Sequence, residues 1–247
     1  MSLAPPLTPG ADLPRRLPAA GWAVLDRAGL TRLAGIGCEP LQRWPALWNE
    51  LPPDRYLRDG GAYRRRRHGS FVVQGAQVTP VPQRAHWQPL QYNALHGGIE
   101  RWYEPLPAAL VADPAWGALL TGLARAAEML RGPARWFCEA HPFRIDTTGG
   151  IGRPTPEGAH RDGVDLVAVL LVARQGVKGG ETRVFEADGP AGQRFTLAEP
   201  WNALLLDDAR MIHETTPVQP LQPGRPGWRD TLVLTYRRGA FLGPDHA

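Results

Sequence analysis

The sequence predicts a mainly β protein with flanking helices. Two patterns carry this expectation. From about residue 135 onward, short apolar runs follow one another at close spacing, divided by Gly, Pro and Asp turns, with no helical pattern between them. Before that, residues 113–131 form one strongly periodic stretch that reads as a helix covering a sheet face. Composition agrees, since 28 Gly, 26 Pro and nine Trp in 247 residues suit short strands and many turns better than a helical bundle. A sandwich and a barrel both satisfy the pattern.

The length allows a sizeable single core. Residues 1–19, rich in Pro and Ala, are expected to form a flexible N-terminal arm. Residues 20–247 are expected to be one domain, with a helical and irregular part over 20–133 and a strand-rich core over about 134–240. Hydrophobic residues at 43% and charged residues at 21% are ordinary for a soluble globular chain. The net charge of +4 is too mild to argue for nucleic acid. Cys38 and Cys138 match no disulfide framework or zinc ribbon and read as two buried free thiols of a reducing compartment. The first residues lack the basic and apolar pattern of a signal peptide, and no stretch approaches a membrane span, so a cytoplasmic protein is expected.

Taken in order, Gly21–Leu25 reads as a strand, and Asp26 caps a helix through Leu30, Leu33 and Ala34. A second helix is expected from Pro40 to Glu50, ended by Pro52-Pro53. The glycines after Asp59 make a turn. A strand then begins in the run Arg64-Arg65-Arg66-Arg67 and continues through Val73. In a strand these four arginines divide between two faces, one pair toward a pocket and one toward solvent. Residues 80–107 are irregular, and the polar, aromatic segment from Trp87 to Trp102 is expected to help close a pocket. Asp113-Pro114 starts the long helix and Gly132-Pro133 stops it. Strands follow over residues 135–145, broken at Pro142, then 165–173, 181–185, 203–206, 211–218 and 228–237.

The chemistry is expected at His160-x-Asp162. In an extended segment residues two apart share a face, so both side chains reach one point while Arg161 points away. His213, about fifty residues on, lies in a segment suited to a neighbouring strand. Two imidazoles and one carboxylate hold three positions on a metal and leave others open, which suits non-haem Fe(II) and oxygen. Zinc also accepts such ligands. Downstream, Arg229 and Thr231 share a strand face, and a guanidinium fork beside a hydroxyl is shaped to hold a carboxylate. The bland alternative pairs Arg229 with Asp230. Given the triad, the clamp is preferred, and it tips the metal toward iron.

These motifs resemble a known family. The stretch 154–165, then Gly179-Gly180-Glu181-Thr182, Leu206-Asp207-Asp208, His213 with Thr216-Pro217, and Arg229-Asp230-Thr231 look like the 2-oxoglutarate/Fe(II) dioxygenases that include bacterial free L-amino-acid hydroxylases such as isoleucine dioxygenase. Asn93, Gly97-Gly98-Ile99 and Arg101 add to the likeness, which spans about Tyr56 to Arg237. The resemblance implies a double-stranded β-helix, the jelly-roll or cupin-like barrel. It implies Fe(II) held by His160, Asp162 and His213, and 2-oxoglutarate held through Arg229 and Thr231. O2 would be the oxidant, with succinate and CO2 released as an unactivated C–H is hydroxylated. Relatives that halogenate lack the carboxylate ligand. Asp162 is present here, so hydroxylation is expected.

On the substrate side, an amino acid needs a cation for its carboxylate and an acceptor for its ammonium. Arg65, Arg67 or Arg101 are candidates for the first, and Glu157 or Asp165 for the second. His141 reads as a satisfied core histidine, Asp207-Asp208 as shaping a turn, and His68, His86, His96 and His246 as lacking ligand spacing. Two other readings stay open. One is oxidation of a macromolecule, nucleic acid or protein, prompted by the arginine run. The other is a cupin-type binding or stress-response protein without turnover. A small-molecule partner is expected, without nucleic acid or membrane; a homodimer is compatible with the sequence but not required by it.

Overall fold

The computed structural model describes residues 3–93 and 95–244, so Met1, Ser2 and His246 lie outside the described residues. A 3-10 turn at Gly10–Asp12 leads into α1 (Leu13–Ala20), whose Leu13 and Leu17 are buried. The arm expected to be flexible is therefore packed down from Leu13 on. Two leucines four residues apart share a helix face, and burying each stabilises by about 2 kcal/mol. Gly21, at φ 76°, turns the chain into β1 (Trp22–Leu25). Asp26 caps α2 (Arg27–Ala34), its carboxylate accepting the Gly29 N–H at 2.7 Å. The helix expected from Pro40 to Glu50 is split into α3 (Glu39–Arg43) and a 3-10 segment, Trp44–Glu50. Pro45 has no N–H to continue the α-helical ladder.

The next elements are β2 (Arg64–Arg66), β3 (Gly69–Gln74), β4 (Gln77–Pro80), α4 (Ala108–Val111) and α5 (Pro114–Arg131). Asp113 caps α5 as expected, accepting the Ala115 N–H at 3.0 Å. Strands then dominate: β5 (Trp136–Asp146), β6 (Leu166–Gln175), β7 (Val177–Gly179), β8 (Thr182–Glu186), β9 (Gly192–Phe195), β10 (Ala203–Asp207), β11 (Met211–Thr215), β12 (Val218–Pro220) and β13 (Trp228–Arg238). Pro142 does not break β5. Its carbonyl accepts from Arg67 N at the gap between β2 and β3, so the missing N–H of proline falls where no ladder bond is needed.

Eight strands form one antiparallel sheet in the order β1-β10-β6-β13-β5-β3-β4, with β2 also on β5. β11-β8-β9 and β12-β7 form two smaller sheets. Among the described residues no strand of the large sheet pairs with one of the smaller sheets, so the sheets are not closed into one continuous barrel by strand pairing. The protein is mainly β with a few helices, as expected.

Period-2 alternation decides which layer each side chain joins. On β5, Trp136, Cys138 and Ala140 pack with Leu232, Leu234 and Tyr236 of β13 under α1, α2 and α5. The opposite face of the sheet looks toward the smaller sheets. There Val167, Leu171 and Leu204 pack with Val184, Phe195 and Met211, and Ile145 packs with Val177 and Val218. Between these two inner clusters many of the facing side chains are polar. The thiols are free, Cys138 buried and Cys38 only partly so, against the expectation that both would be buried.

Candidate active site

The inner face of the large sheet explains where the cavity comes from. On β5, Glu139, His141, Phe143 and Ile145 point inward. On β13, so do Arg229, Thr231, Val233 and Thr235, and β2 adds Arg64 and Arg66. Thr155, Glu157, His160, Asp162, His213 and Thr215 face them from the other side, and residues from the segment 86–101 cover one end.

His160, Asp162 and His213 come together as the spacing predicts. His160 and His213 exchange backbone hydrogen bonds of 3.0 and 2.9 Å, which sets their rings side by side with centroids 4.6 Å apart. One carboxylate oxygen of Asp162 lies 3.8 Å from His160 Nε2 and the other 3.9 Å from His213 Nε2. These distances exceed a hydrogen bond, yet they fit within the ~4.2 Å that two metal–ligand bonds of ~2.1 Å can span. His160 Nδ1 donates to the Gly158 carbonyl at 2.9 Å, which leaves the Nε2 lone pair facing the shared point. Burial lowers the His160 pKa, but the carboxylates of Asp162 and Glu157 outweigh it and leave it raised. The donor set fits a divalent metal with open positions.

The loop carrying Asp162 is held by Asp208. Its buried carboxylate accepts the N–H groups of Asp162 (2.9 and 3.1 Å), Gly163 (2.7 Å) and Val164 (3.0 Å). Gly163 sits at φ 80° with Tyr92 against it, so a side chain there would be both strained and blocked. Asp207, the other half of the expected turn, instead pairs with Arg131. Gln88 reaches the triad from the covering segment. Its Nε2 donates to Asp162 Oδ1 at 2.9 Å, while its Oε1 accepts from Arg101 (2.9 Å) and Asn93 (3.1 Å).

Arg229 is buried, and its Nε and Nη2 have no partner among the described residues. Asp230 does not pair with it; it faces the other way and holds Arg144 through bonds of 2.7 and 2.8 Å. Burial pushes the Arg229 guanidinium down to about 10. A buried guanidinium with open donors beside the Thr231 hydroxyl suits a carboxylate.

The substrate candidates are only partly brought in. Arg101 and Glu157 line the cavity. Arg65 and Arg67 do not: Arg65 is exposed with Asp146 at 3.8 Å, and Arg67 pairs with Glu104 at 2.9 Å. Arg64 and Arg66 are the inward pair. The arginine run divides between two faces as expected, but with the opposite parity, which four identical residues cannot specify. Asp165 lies outside the cavity and holds Arg131 and Arg238.

Sequence reasoning missed a second polar group. His68, His86, Glu139 and His141 are buried with one ligand-type atom each within 4.8 Å of one another. Hydrogen bonding gives three of them other work. Glu139 accepts from His68 and Arg84, each at 3.0 Å, and despite its burial it is held well below the usual carboxylate range, with the hydrogen bond from His68 among the causes. Arg66 donates to His141 Nδ1 at 2.7 Å. That fixes the proton of a neutral His141 on Nε2, so this ring presents a donor to the cavity and no lone pair for a metal. The available signal was the period-2 series Arg64-x-Arg66-x-His68-x-Ser70 and Glu139-x-His141.

A family model described as 2OG-Fe dioxygenase matches residues 45–235. The chain is 54% identical to a bsmA homologue from Methylobium petroleophilum PM1, covering 98% of each chain at a TM-score of 0.91. It shares its fold with IDO from Bacillus thuringiensis at 15% identity and a TM-score of 0.76, covering 94% of this chain and 100% of that one. The Fe(II)/(alpha)ketoglutarate-dependent dioxygenase TqaL shares the fold at 20% identity and a TM-score of 0.69, covering 94% and 90%. No curated protein matches the chain. Among the described residues no helix is long and apolar enough to cross a membrane.

Proposed function

The chain belongs to the 2OG-Fe dioxygenase family, and we propose that its reaction is the hydroxylation of an unactivated C–H in a free L-amino acid, within the double-stranded β-helix form of that fold. The enzyme is a dioxygenase using Fe(II), 2-oxoglutarate and O2. When bound, the iron supplies the oxygen activation that couples decarboxylation of 2-oxoglutarate to oxidation of the substrate. His160, Asp162 and His213 are its proposed ligands. Gln88 and the Gly158 carbonyl orient two of them. Arg229 and Thr231 take the far carboxylate of 2-oxoglutarate and fix its reach from the triad.

The observation that carries the amino-acid reading is the pairing of opposite charges around the triad. Glu157 Oε2 is buried without a partner among the described residues, and so are the Nε atoms of Arg66 and Arg101. A carboxylate and guanidiniums facing one cavity complement an ammonium and a carboxylate on one small molecule. Holding both ends fixes which carbon faces the triad, and the segment from His86 to Arg101 keeps water from that carbon. The arginine run offers no support for a macromolecular substrate, because its outward members Arg65 and Arg67 face the acids Asp146 and Glu104.

The test is incubation of the Fe(II)-loaded protein with 2-oxoglutarate, ascorbate and each free L-amino acid in turn. Succinate above the substrate-free level, with a product heavier by one oxygen, is expected for at least one. No such signal across the panel refutes the amino-acid reading.

A further inference from the structure

The cavity holds more unpaired positive charge than a neutral amino acid can answer. Of its inward arginines, Arg64 is satisfied by Asp54 at 2.8 Å, with side chains 6% and 0% exposed. Glu139 is likewise answered by Arg84 and His68. Arg229 stands ready for 2-oxoglutarate. Two guanidiniums remain, Arg66 and Arg101, and neither has a salt-bridge partner among the described residues. Arg66 is buried between the rings of Tyr103 (3.9 Å) and Phe143 (4.4 Å), and its polar contacts are neutral: the Tyr103 hydroxyl at 3.3 Å and His141. Among the described residues the one side-chain hydrogen bond of Arg101 goes to the amide oxygen of Gln88. Burial pushes both guanidiniums down, Arg66 to about 10, which marks how poorly their charge is answered in the free protein. Against this pair stands Glu157, whose Oε1 lies 3.5 Å from His160 Nε2 and whose Oε2 has no partner among the described residues.

From this imbalance we infer that the substrate carries a second acid group: an amino acid with an acidic side chain, its two carboxylates on Arg66 and Arg101 and its ammonium on Glu157. The inference rests on the amino-acid reading above and deepens it. Two buried cations and one half-buried anion match two carboxylates and one ammonium. A neutral amino acid leaves one guanidinium desolvated and unpaired, and such a group is strongly unfavourable in a closed site. An amide answers a guanidinium less well, because it offers one neutral acceptor oxygen where a carboxylate offers two charged ones.

The experiment compares isosteric pairs. Glutamate against glutamine, and aspartate against asparagine, are assayed for succinate formation with the Fe(II) protein. Binding is read separately, as the shift in melting temperature of Zn(II)-loaded protein that cannot turn over. 2-Aminoadipate extends the series, and leucine and methionine represent neutral chains. The acidic member of a pair is expected to exceed its amide in kcat/KM by at least about tenfold, the discrimination of a site whose polar groups go unpaired with the wrong ligand. The same order is expected in the melting shifts. Arg66→Gln and Arg101→Gln are each expected to bring that ratio toward one, and two variants guard against one failing to fold. Neutral amino acids turned over or bound better than acidic ones would overturn the inference and leave the amino-acid reading standing. No amino acid giving succinate or a melting shift would overturn both.

Discussion

Replacing Asp208 by Ala separates loop positioning from global folding. The carboxylate is 1% exposed and holds three consecutive N–H groups, the first belonging to Asp162. Stranding a buried donor destabilises by about 1–3 kcal/mol, so three give about 6 kcal/mol at mid-range. An opposing term exists. Burial and the like charge of Asp162 push the Asp208 carboxyl up to about 7, so its removal also relieves an unfavourable buried charge. The net loss of fold stability is therefore expected to be smaller than the three donors alone give, on the order of 1–5 kcal/mol. The loop, however, loses what fixes Asp162 at the shared point, and loss of such outer support lowers metal affinity by about 10–100-fold. The assay is competition for Fe(II) or Zn(II) against a chromogenic chelator, paired with urea denaturation of the same sample. Asp208→Asn keeps one acceptor oxygen and is expected to fall between the two. Metal affinity within about twofold of the parent in folded Asp208→Ala would refute the positioning argument.

Other consequences are equally direct. Arg229→Leu is expected to raise the apparent KM for 2-oxoglutarate by about 100-fold, the equivalent of ~3 kcal/mol from a buried charge pair, read from succinate formation at saturating substrate; an unchanged KM would remove the clamp. Arg64→Ser strands Asp54 inside the protein and is expected to destabilise by ~3 kcal/mol in urea melts. Arg65→Ser, one residue away but outward, is expected to change stability by less than ~0.5 kcal/mol, and equal effects would contradict the observed strand parity. Burial and the Arg101 charge push His86 down to about 3, and burial holds His141 well below the usual histidine range. Their folded pKa values lie below the unfolded value of about 6.5, so the unfolded chain binds protons that the folded one refuses. Stability is therefore fully present above about pH 6.5 and falls below it by ~1.4 kcal/mol per pH unit for each ring, a slope that His86→Asn should reduce. Urea midpoints that stay flat between about pH 7 and 5 would count against neutral buried imidazoles.

Local chemistry in the sequence determined the parts that depend on neighbours along the chain. Asp26 and Asp113 cap their helices where the pattern of acid, proline and apolar stripe says they should. His160-x-Asp162 shares one face because extended backbone alternates, and the polar, aromatic segment before the long helix covers the cavity. The packed arm was missed because the Pro and Ala around Leu13 and Leu17 hide a short apolar face that only the sheet beneath it makes worthwhile. Tertiary structure decided everything set by parity and by distant partners. The run Arg64–Arg67 reads the same in either register, and its pairing with β5 turns Arg64 and Arg66 inward. Asp165 lies beside the motif in the sequence, whereas Asp208 lies just before His213. Folding gives one to Arg131 and Arg238 and the other to the N–H groups of the ligand loop. The charge of the cavity follows the same rule. An arginine's role depends on whether a carboxylate meets it in space, and for Arg66 and Arg101 the chain provides the burial without the partner.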